Sequence, residues 1–164
     1  MSGDGLEIRP GTVHDVPAVL AFIHELAEYE KLAHEVTATE DGLRAALFGE
    51  RRHAEVILAF LDGDPVGFAL FFHNFSTFLG RPGIYLEDLY VRPPARRRGV
   101  GKRLLAGLAG IAVERNCGRL EWSVLDWNES AIRFYRSLGA TAMDGWTVHR
   151  VAGDALRRLA ETTG

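Results

Sequence analysis

Residues 96–101 read R-R-R-G-V-G, and they join two segments of different hydrophobic period. The apolar run from Ile84 to Val91 predicts a strand before them, and apolar residues at helical spacing from Val100 to Ala112 predict a helix after them. The first N–H groups of a helix have no partner within it and carry the positive end of its dipole. Glycine leaves these groups accessible and arginine adds forked donors, so we predict that the loop binds a diphosphate.

Two common phosphate-binding motifs do not fit this loop. A Walker loop requires serine or threonine after its lysine, but Arg103 follows Lys102. A G-x-G-x-x-G fingerprint requires glycine at position 104, which is Leu104. An arginine-rich solvated loop before a surface helix is the alternative interpretation of the stretch taken alone.

Length and composition favour one globular domain. The chain has 164 residues, of which 47% are hydrophobic and 25% charged, and its formal net charge is −3. This length supports one substantial core, so we predict a single domain over residues 1–164. The negative balance argues against general nucleic-acid binding and suits a small cationic substrate.

The sequence also predicts a cellular location. Cys117 is the only cysteine, which excludes an intrachain disulfide and fits a reducing compartment. The N-terminal M-S-G-D-G has no signal-peptide character, and no apolar run approaches the roughly 18 residues of a membrane span. The six histidines form no helical i, i+3 or i, i+4 pair. We therefore expect a cytoplasmic protein without a metal site, a membrane contact or a nucleic-acid partner.

Apolar periodicity and turn residues predict an α+β fold. Antiparallel hairpin strands come first, and a parallel strand–helix–strand crossover follows in the centre of a mixed sheet. The predicted strands are 6–9, 55–61, 66–72, 84–91, 119–125, 141–143 and 146–151, with a loop over 74–83. The predicted helices run from a capping box at Thr12 and Asp15 to Tyr29 or Glu30, from a capping box at Thr37 and Glu40 to Gly49, from Val100 to near Arg115, from Asn128 to Gly139, and onward from a cap at Asp154.

Glu87 and Asp88 are adjacent carboxylates inside an otherwise apolar strand. An ionised carboxylate in apolar surroundings is costly unless it is paired or reaches water. Neighbouring strand residues face opposite sides, so only one would face a given cleft unless a bulge intervenes. The pair is therefore a buried ion pair or a solvated strand end, or Glu87 is a general base that takes a proton from an ammonium, directly or through water.

Tyr135 lies on the apolar stripe of the helix that begins at Asn128, together with Ala131, Ile132 and Leu138. A tyrosine on such a stripe is a core residue, or its hydroxyl protonates a departing thiolate. Asn128 is either a helix N-cap or the binder of a ligand amide.

Seven segments spread over nearly the whole chain form a set: I-R-P at 8–10, E-L-A-E-Y-E-K at 25–31, Y-L-E-D-L-Y-V at 85–91, R-R-G-V-G at 97–101, L-D-W-N at 125–128, F-Y-R-S-L-G-A at 134–140 and G-W at 145–146. With the R-x-x-G-x-G string of residues 96–101, they resemble the GNAT superfamily of N-acetyltransferases. Within it they are similar to the spermidine/spermine (diamine) and thialysine acetyltransferases, and D-W-N is closer to the thialysine type.

The resemblance implies a single GNAT-type domain whose mixed sheet has splayed parallel central strands flanked by helices. It implies direct transfer of acetyl from acetyl-CoA to a primary amine of a small polyamine or lysine-like molecule, in a homodimer with active sites near the subunit interface. Glu87 matches the water-linked base and Tyr135 the acid. The matching cofactor positions are Leu89, Tyr90, Val91, Arg96, Arg97, Arg98, Gly99, Val100, Gly101, Lys102, Asn128, Glu129, Ser130 and Ala131. The matching substrate positions are Tyr29, Glu30, Asp88, Glu121, Trp122, Ser123 and Asp144.

Other interpretations of the acceptor and of the activity remain open. The acceptor is alternatively a protein N-terminus, a protein lysine or an aminoglycoside, or the chain binds acetyl-CoA without catalysis. The segment from Gly49 to Glu55 and the segment before Gly145 are shorter than the likeness leads us to expect. Because both lie near the expected substrate entrance, the identity of the amine stays open.

Overall fold

The sheet contains five strands: β1 (Leu6–Pro10), β2 (Glu55–Leu61), β3 (Asp64–Ser76), β4 (Arg81–Val91) and β5 (Leu120–Trp122). They follow one another in that order in the computed structural model, which describes residues 5–164. The first three pairings are antiparallel, and β4 pairs with β5 in parallel. This confirms the predicted mixed sheet of an α+β fold.

Five α-helices accompany the sheet: α1 (Val16–Tyr29), α2 (Glu40–Phe48), α3 (Val100–Glu114), α4 (Glu129–Ser137) and α5 (Gly153–Ala160). A short 3-10 turn leads into α1, and its predicted capping box is present: the Thr12 N–H donates to Asp15 Oδ2 at 2.7 Å. The elements fall into two compact units, one ending at Leu125 and the other covering Asp126–Gly164. A single domain over residues 1–164 therefore stays a prediction.

In the first unit, helices cover both faces of the sheet. α1 and α2 bury one face, and the cluster there comprises Val19, Phe22, Leu47, Val56, Leu58, Phe60, Phe68 and Tyr90. α3 covers the other face, because a Cβ at Gly107 would lie 3.4 Å from Ile57 Cδ1, and Ile57 alternates with Val56 and Leu58. β4, which carries the two adjacent carboxylates, therefore packs against α1 on one face and α3 on the other.

Two hairpins connect the antiparallel strands. The turn Asp62–Gly63 joins β2 to β3 with φ of 50° and 87°, the left-handed conformations of a type I′ turn. β3 and β4 stay paired as far as Ser76 and Arg81, so the predicted loop over 74–83 is wrong. Glycine, proline and asparagine suggested a loop there, but pairing across the hairpin overrides these local preferences.

Two predicted strands near the C-terminus are wrong. Residues 141–152, all of which the structure describes, contain no strand. Trp146 and Val148 are 81% and 83% exposed. Residues of high β-propensity form a strand only beside a hydrogen-bonded neighbour, which local sequence does not reveal. For the same reason β5 ends at Trp122, where its pairing with β4 ends, instead of reaching 125.

Two predicted helix caps are also wrong. α2 is capped by Thr39 instead of Thr37, and Thr39 Oγ1 accepts the Gly42 N–H at 3.1 Å. α5 has Ala152 at its N-cap, and Asp154 lies within the first turn. There Asp154 forms an ion pair with Arg157, one helical turn further on.

Replacing Phe22 by alanine should lower the free energy of unfolding by about 3–5 kcal/mol, because its ring is fully buried and stacks on Phe68 with 5.5 Å between ring centres. Phe78→Ala is the matched control, since the Phe78 side chain is fully exposed and its removal should cost less than about 0.5 kcal/mol. Urea denaturation followed by circular dichroism measures both. Equal costs would show that the α1 face is not the core.

Candidate active site

The loop after β4 leaves backbone N–H groups accessible at the start of α3. Arg97 and Gly99 have left-handed conformations, with φ of 66° and 76°. Gly99 is the N-cap and supplies no side chain to the first helical N–H groups. A Cβ at Gly99 would meet no described atom within 4 Å, and the side chains of Arg97 and Arg98 are exposed beside it. These features fit an anion such as a diphosphate.

Glu87 is the extra residue of a β-bulge. Leu70 of β3 lies opposite Asp88, while Phe71 lies opposite Leu86, so Glu87 is inserted between two regular pairs. The insertion turns Asp88 to the face where Leu70 packs on the buried cluster beneath α1 and α2. The side chain of Glu87 is exposed, whereas Asp88 is half-buried. The bulge therefore gives adjacent carboxylates different surroundings.

Glu30, Glu87 and Asp88 form an acidic group where the end of α1 approaches β4. Burial raises the pKa of Asp88 to about 6, and the negative charges of Glu87 and Glu30 add to this shift. Burial also raises the pKa of Glu30. The sequence placed Glu87 among apolar side chains, but the carboxylate in such surroundings is Asp88. Three interacting carboxylates favour a positively charged ligand, because its charge offsets their repulsion.

β4 and β5 part at the bulge. Their last pair joins Leu86 to Trp122, while β4 continues to Val91. At the point of parting the hydroxyls of Tyr85 and Ser123 share a hydrogen bond of 2.7 Å. Within the described residues, the last part of β4 is thus paired with β3 alone, which matches the expected splayed parallel strands.

The unpaired edge of β4 presents backbone groups of Leu89 and Val91. The Arg92 N–H donates to Val66 O at 2.8 Å and so faces β3. Because backbone groups alternate in direction along a strand, those of Leu89 and Val91 face away from β3. Tyr90 differs from these two, since its ring is buried in the core. The edge can therefore hydrogen-bond to an extended ligand that contains amides.

An ion pair holds α1 against β4. Glu25 accepts hydrogen bonds from Arg92 Nη2 at 3.0 Å and Nε at 3.1 Å, and from the Tyr90 hydroxyl at 3.2 Å. The Arg92 guanidinium also lies 4.7 Å from the centre of the Phe22 ring. Sequence reasoning missed the pair, because Glu25 and Arg92 are 67 positions apart and share no local pattern.

Two further predicted positions, Glu121 and Trp122, lie in β5. Glu121 Oε1 is 3.1 Å from Arg119 Nε and accepts a hydrogen bond from Asn74 Nδ2 at 3.2 Å, while Trp122 is half-buried. Glu121 therefore contacts side chains of its own sheet, and its role as a substrate position stays a prediction.

Tyr29 lies at the end of α1, where its ring is 41% exposed. The guanidinium of Arg96 is 5.3 Å from the centre of that ring, and Arg96 Nε donates to Val91 O at 2.9 Å. The structure therefore turns the Arg96 side chain towards β4, although the sequence grouped it with the diphosphate loop.

The second unit contains α4, whose N-terminus carries four predicted cofactor positions. Asn128 is its N-cap and accepts the Ala131 N–H at 3.4 Å. The Ser130 hydroxyl donates to the same Asn128 oxygen at 3.4 Å, and Glu129 is exposed in the first turn. Of the two interpretations of Asn128, the N-cap is therefore present in the structure.

Tyr135 lies in the last turn of α4 and is half-buried. Its ring centre is 5.6 Å from that of Phe134. Gly139, with φ of 92°, follows the helix as predicted, and Asp144 is exposed further along the chain. Tyr135 belongs to the second unit and Glu87 to the first, and their joint action is a proposal.

A mixed sheet whose parallel strands part beside a basic glycine loop is the arrangement of the acetyl-CoA-dependent N-acetyltransferases. The chain belongs to the Acetyltransferase (GNAT) family, whose model matches residues 21–140. It is 40% identical to the thialysine N-epsilon-acetyltransferase of Bos taurus over 93% of this chain and 96% of that one. It is 34% identical to the L-ornithine N5-acetyltransferase of Arabidopsis thaliana, over 93% of this chain and 86% of that one.

A solved structure has the same fold. An integron cassette protein from the mobile metagenome of V. cholerae superimposes with a TM-score of 0.80 at 32% identity, covering 98% of this chain and 100% of that one. The protein is therefore an acetyl-CoA-dependent N-acetyltransferase, and the open N–H groups at the start of α3 fit the diphosphate of its co-substrate.

None of the helices within residues 5–164 combines the length and apolar character that crossing a membrane requires. The same residues hold no group of three or more His, Cys, Asp or Glu side chains placed to bind a metal ion.

Asp88→Asn should stabilise the protein near pH 8 and lose this advantage near pH 4. Folding raises the pKa of Asp88 from its usual 3.8 to about 6. The folded state therefore favours the protonated carboxyl, and its stability falls as the pH rises through 6. The gain near pH 8 should be about 1–3 kcal/mol in the free energy of unfolding, measured by urea denaturation at both pH values.

Glu28→Gln is the control for this experiment, because Glu28 is an exposed carboxylate of α1. Its effect on stability should stay below about 0.5 kcal/mol at either pH. A gain for Asp88→Asn that is the same at both pH values would contradict a raised pKa of Asp88.

Proposed function

We propose that the enzyme acetylates a primary amine at the end of a small lysine-like or polyamine molecule, with thialysine-type amino acids foremost. The acidic group of Glu30, Glu87 and Asp88 carries this proposal. It lies beside the unpaired edge of β4, so a cationic amine bound there would be next to the expected donor. A neutral acceptor would leave the repulsion among these carboxylates without compensation.

The relatives support the same class of acceptor. The names of the two relatives at 40% and 34% identity specify thialysine and ornithine, amino acids with an amine at the end of the side chain. A spermidine/spermine N(1)-acetyltransferase-like protein of Homo sapiens, at 28% identity, favours polyamines as the second candidate. Both classes present a flexible chain that ends in a cation.

Acetyl-CoA supplies an acetyl group activated as a thioester. We assign its diphosphate to the loop of Arg97, Arg98, Gly99, Val100, Gly101 and Lys102, whose N–H groups and arginines fit an anion. The edge of β4 at Leu89 and Val91 would bind the amide-containing arm as a strand binds its neighbour. The start of α4, from Asn128 to Ala131, would contact the same arm.

Glu87 and Tyr135 would move the protons of the reaction. Glu87 takes a proton from the bound ammonium through a water molecule, and its exposed side chain can reach such a water. The amine nitrogen then bonds to the acetyl carbon, the carbon–sulfur bond breaks, and the nitrogen gives up its second proton to become an amide. Tyr135 donates its hydroxyl proton to the departing thiolate, and the second proton of the nitrogen restores the hydroxyl through solvent. The proposed substrate positions are Tyr29, Glu30, Asp88, Glu121, Trp122, Ser123 and Asp144.

Thiol release from acetyl-CoA tests the proposal against a panel of thialysine, ornithine, lysine, putrescine, spermidine, short peptides and an aminoglycoside. The wild type should prefer the first five.

Tyr135→Phe and Glu87→Gln should each lower kcat by about 10²–10⁴-fold and change the affinity for CoA by less than twofold. Glu28→Gln is the matched exposed control for Glu87→Gln. An unaltered kcat in either site variant would remove that residue from the mechanism, and a preference for peptides or the aminoglycoside would replace the proposed acceptor.

We also propose that the enzyme is a homodimer, as the family likeness implies. Six apolar side chains of the second unit are at least half exposed: Met143, Trp146, Val148, Val151, Leu156 and Leu159. Exposed apolar side chains in such number favour an interface. Asp144 lies two residues before Trp146, so an interface that contains Trp146 would also lie close to Asp144.

Sedimentation equilibrium tests the oligomeric state. The wild type should have about twice the chain mass of 18.1 kDa. Trp146→Asp should shift it towards the monomer, because a charge in an apolar interface is costly. Phe78→Asp, a charge at an exposed aromatic residue of the first unit, should leave the mass unchanged. A monomeric wild type would contradict the proposal.

A further inference from the structure

Three consecutive arginines begin the glycine loop, and the first differs from the other two. Arg96 has an extended backbone, with φ of −66° and ψ of 156°, whereas Arg97 is left-handed with φ of 66°. This change of direction separates their side chains. All three side chains are exposed, but Arg97 and Arg98 immediately precede the N-cap of α3, whereas the Arg96 side chain hydrogen-bonds to the end of β4.

Arg96 contacts both α1 and β4. Its Nε donates to the carbonyl of Val91 at 2.9 Å. Its guanidinium carbon lies 5.3 Å from the centre of the Tyr29 ring and 5.8 Å from the centre of the Tyr90 ring. A guanidinium within about 6 Å of an aromatic face attracts it. The same side chain therefore holds a residue of the unpaired edge and the last residue of α1.

We propose that Arg96 is a positioning residue that couples the donor edge to the amine side of the site, and that it is not a ligand of the diphosphate. On the donor side it orients the Val91 carbonyl, one of the backbone groups that face the unpaired edge. On the amine side it holds the ring of Tyr29, which precedes Glu30. Glu30 in turn acts electrostatically on Asp88.

The two halves of this proposal have different foundations. The donor half rests on family membership and on the contact with Val91. The amine half rests also on the proposed function, because it requires that Tyr29, Glu30 and Asp88 bind the acceptor. An experiment on donor binding without any amine therefore separates the failure of one from the failure of the other.

The donor half is tested by NMR titration of 15N-labelled protein with CoA and with pantetheine, which lacks the diphosphate and the nucleotide. Arg96→Gln should weaken the binding of both by a similar factor of about three- to tenfold, as expected for one charge-assisted hydrogen bond. Arg97→Gln is the matched control: it should weaken CoA and leave pantetheine within about twofold. Arg96→Lys keeps the charge over the rings and should bind both better than Arg96→Gln.

The amine half is tested by a double-mutant cycle on the KM for the preferred amine. Arg96→Gln and Tyr29→Leu should each raise this KM by about three- to tenfold, with a smaller effect on kcat. Together they should raise it little more than either alone, because both remove the same contact. Thermal melting by circular dichroism identifies the variants that are folded. If Arg96→Gln is not folded, Arg96→Met replaces it in the cycle, because methionine removes the charge and keeps an unbranched side chain.

Other results overturn the inference. A loss confined to CoA, with pantetheine unaffected, makes Arg96 a ligand of the diphosphate, and unchanged binding of both removes it from the donor site. Additive effects of Arg96→Gln and Tyr29→Leu on KM contradict the coupling. If the wild type acetylates none of the amines, the proposed substrate class fails, while the titration still decides the role of Arg96 on the donor side.

Discussion

The site depends on one interruption of the sheet, the place where β4 loses β5 as its neighbour and gains an extra residue. Hydrogen bonding between the two strands stops at Leu86 and Trp122, and Glu87 is the next residue of β4. A regular strand would have directed the two carboxylates to opposite faces of the sheet. The interruption instead leaves backbone groups of Leu89 and Val91 unpaired with a strand and turns Asp88 towards α1. One irregularity therefore creates both the edge that suits an amide-containing donor and the charge that suits a cationic acceptor.

The end of α1 must keep its place against this irregular strand, and polar contacts add directional restraints to the packing of Phe22 on Phe68 and Tyr90. Glu25 binds Arg92 and the hydroxyl of Tyr90, while Arg96 contacts Tyr29. The Arg92–Glu25 side chains are 36% and 32% exposed, so their pairing contributes only about 1 kcal/mol to stability. Its directional hydrogen bonds matter more for geometry, because they fix the distance between α1 and β4.

Local sequence determined the parts of the fold that depend on local chemistry. The bounds of β2, the end of α1, the Asp62–Gly63 turn and the helix after the glycine loop follow from apolar period, turn residues and caps. The bulge does not, because it exists only in the pairing of β3 with β4 and the residues at 86–88 show no sign of it. The Glu25–Arg92 pair could not be predicted for the same reason, because it forms only when distant parts of the chain meet in the fold. The wrongly predicted strands at 141–143 and 146–151 show the converse. Their Thr, Trp and Val residues favour strands, but no neighbouring strand within residues 5–164 pairs with them.

In the proposed reaction, the difference between Glu87 and Asp88 would explain how one site both attracts an ammonium and accepts its proton. Asp88 is half-buried beside other negative charges, so its ionised form is costly in the free protein, as its raised pKa shows. A bound cation offsets that cost, and the gain is available only to a charged acceptor. A base must do the opposite: it must exchange protons with water after the cation has bound, which requires exposure of the kind that Glu87 has. If a single carboxylate served both purposes, the burial that selects cations would also hinder release of the proton to solvent. In the proposed reaction the two adjacent residues would divide these tasks, because the bulge interrupts the alternation that directs neighbouring side chains of a regular strand to opposite faces.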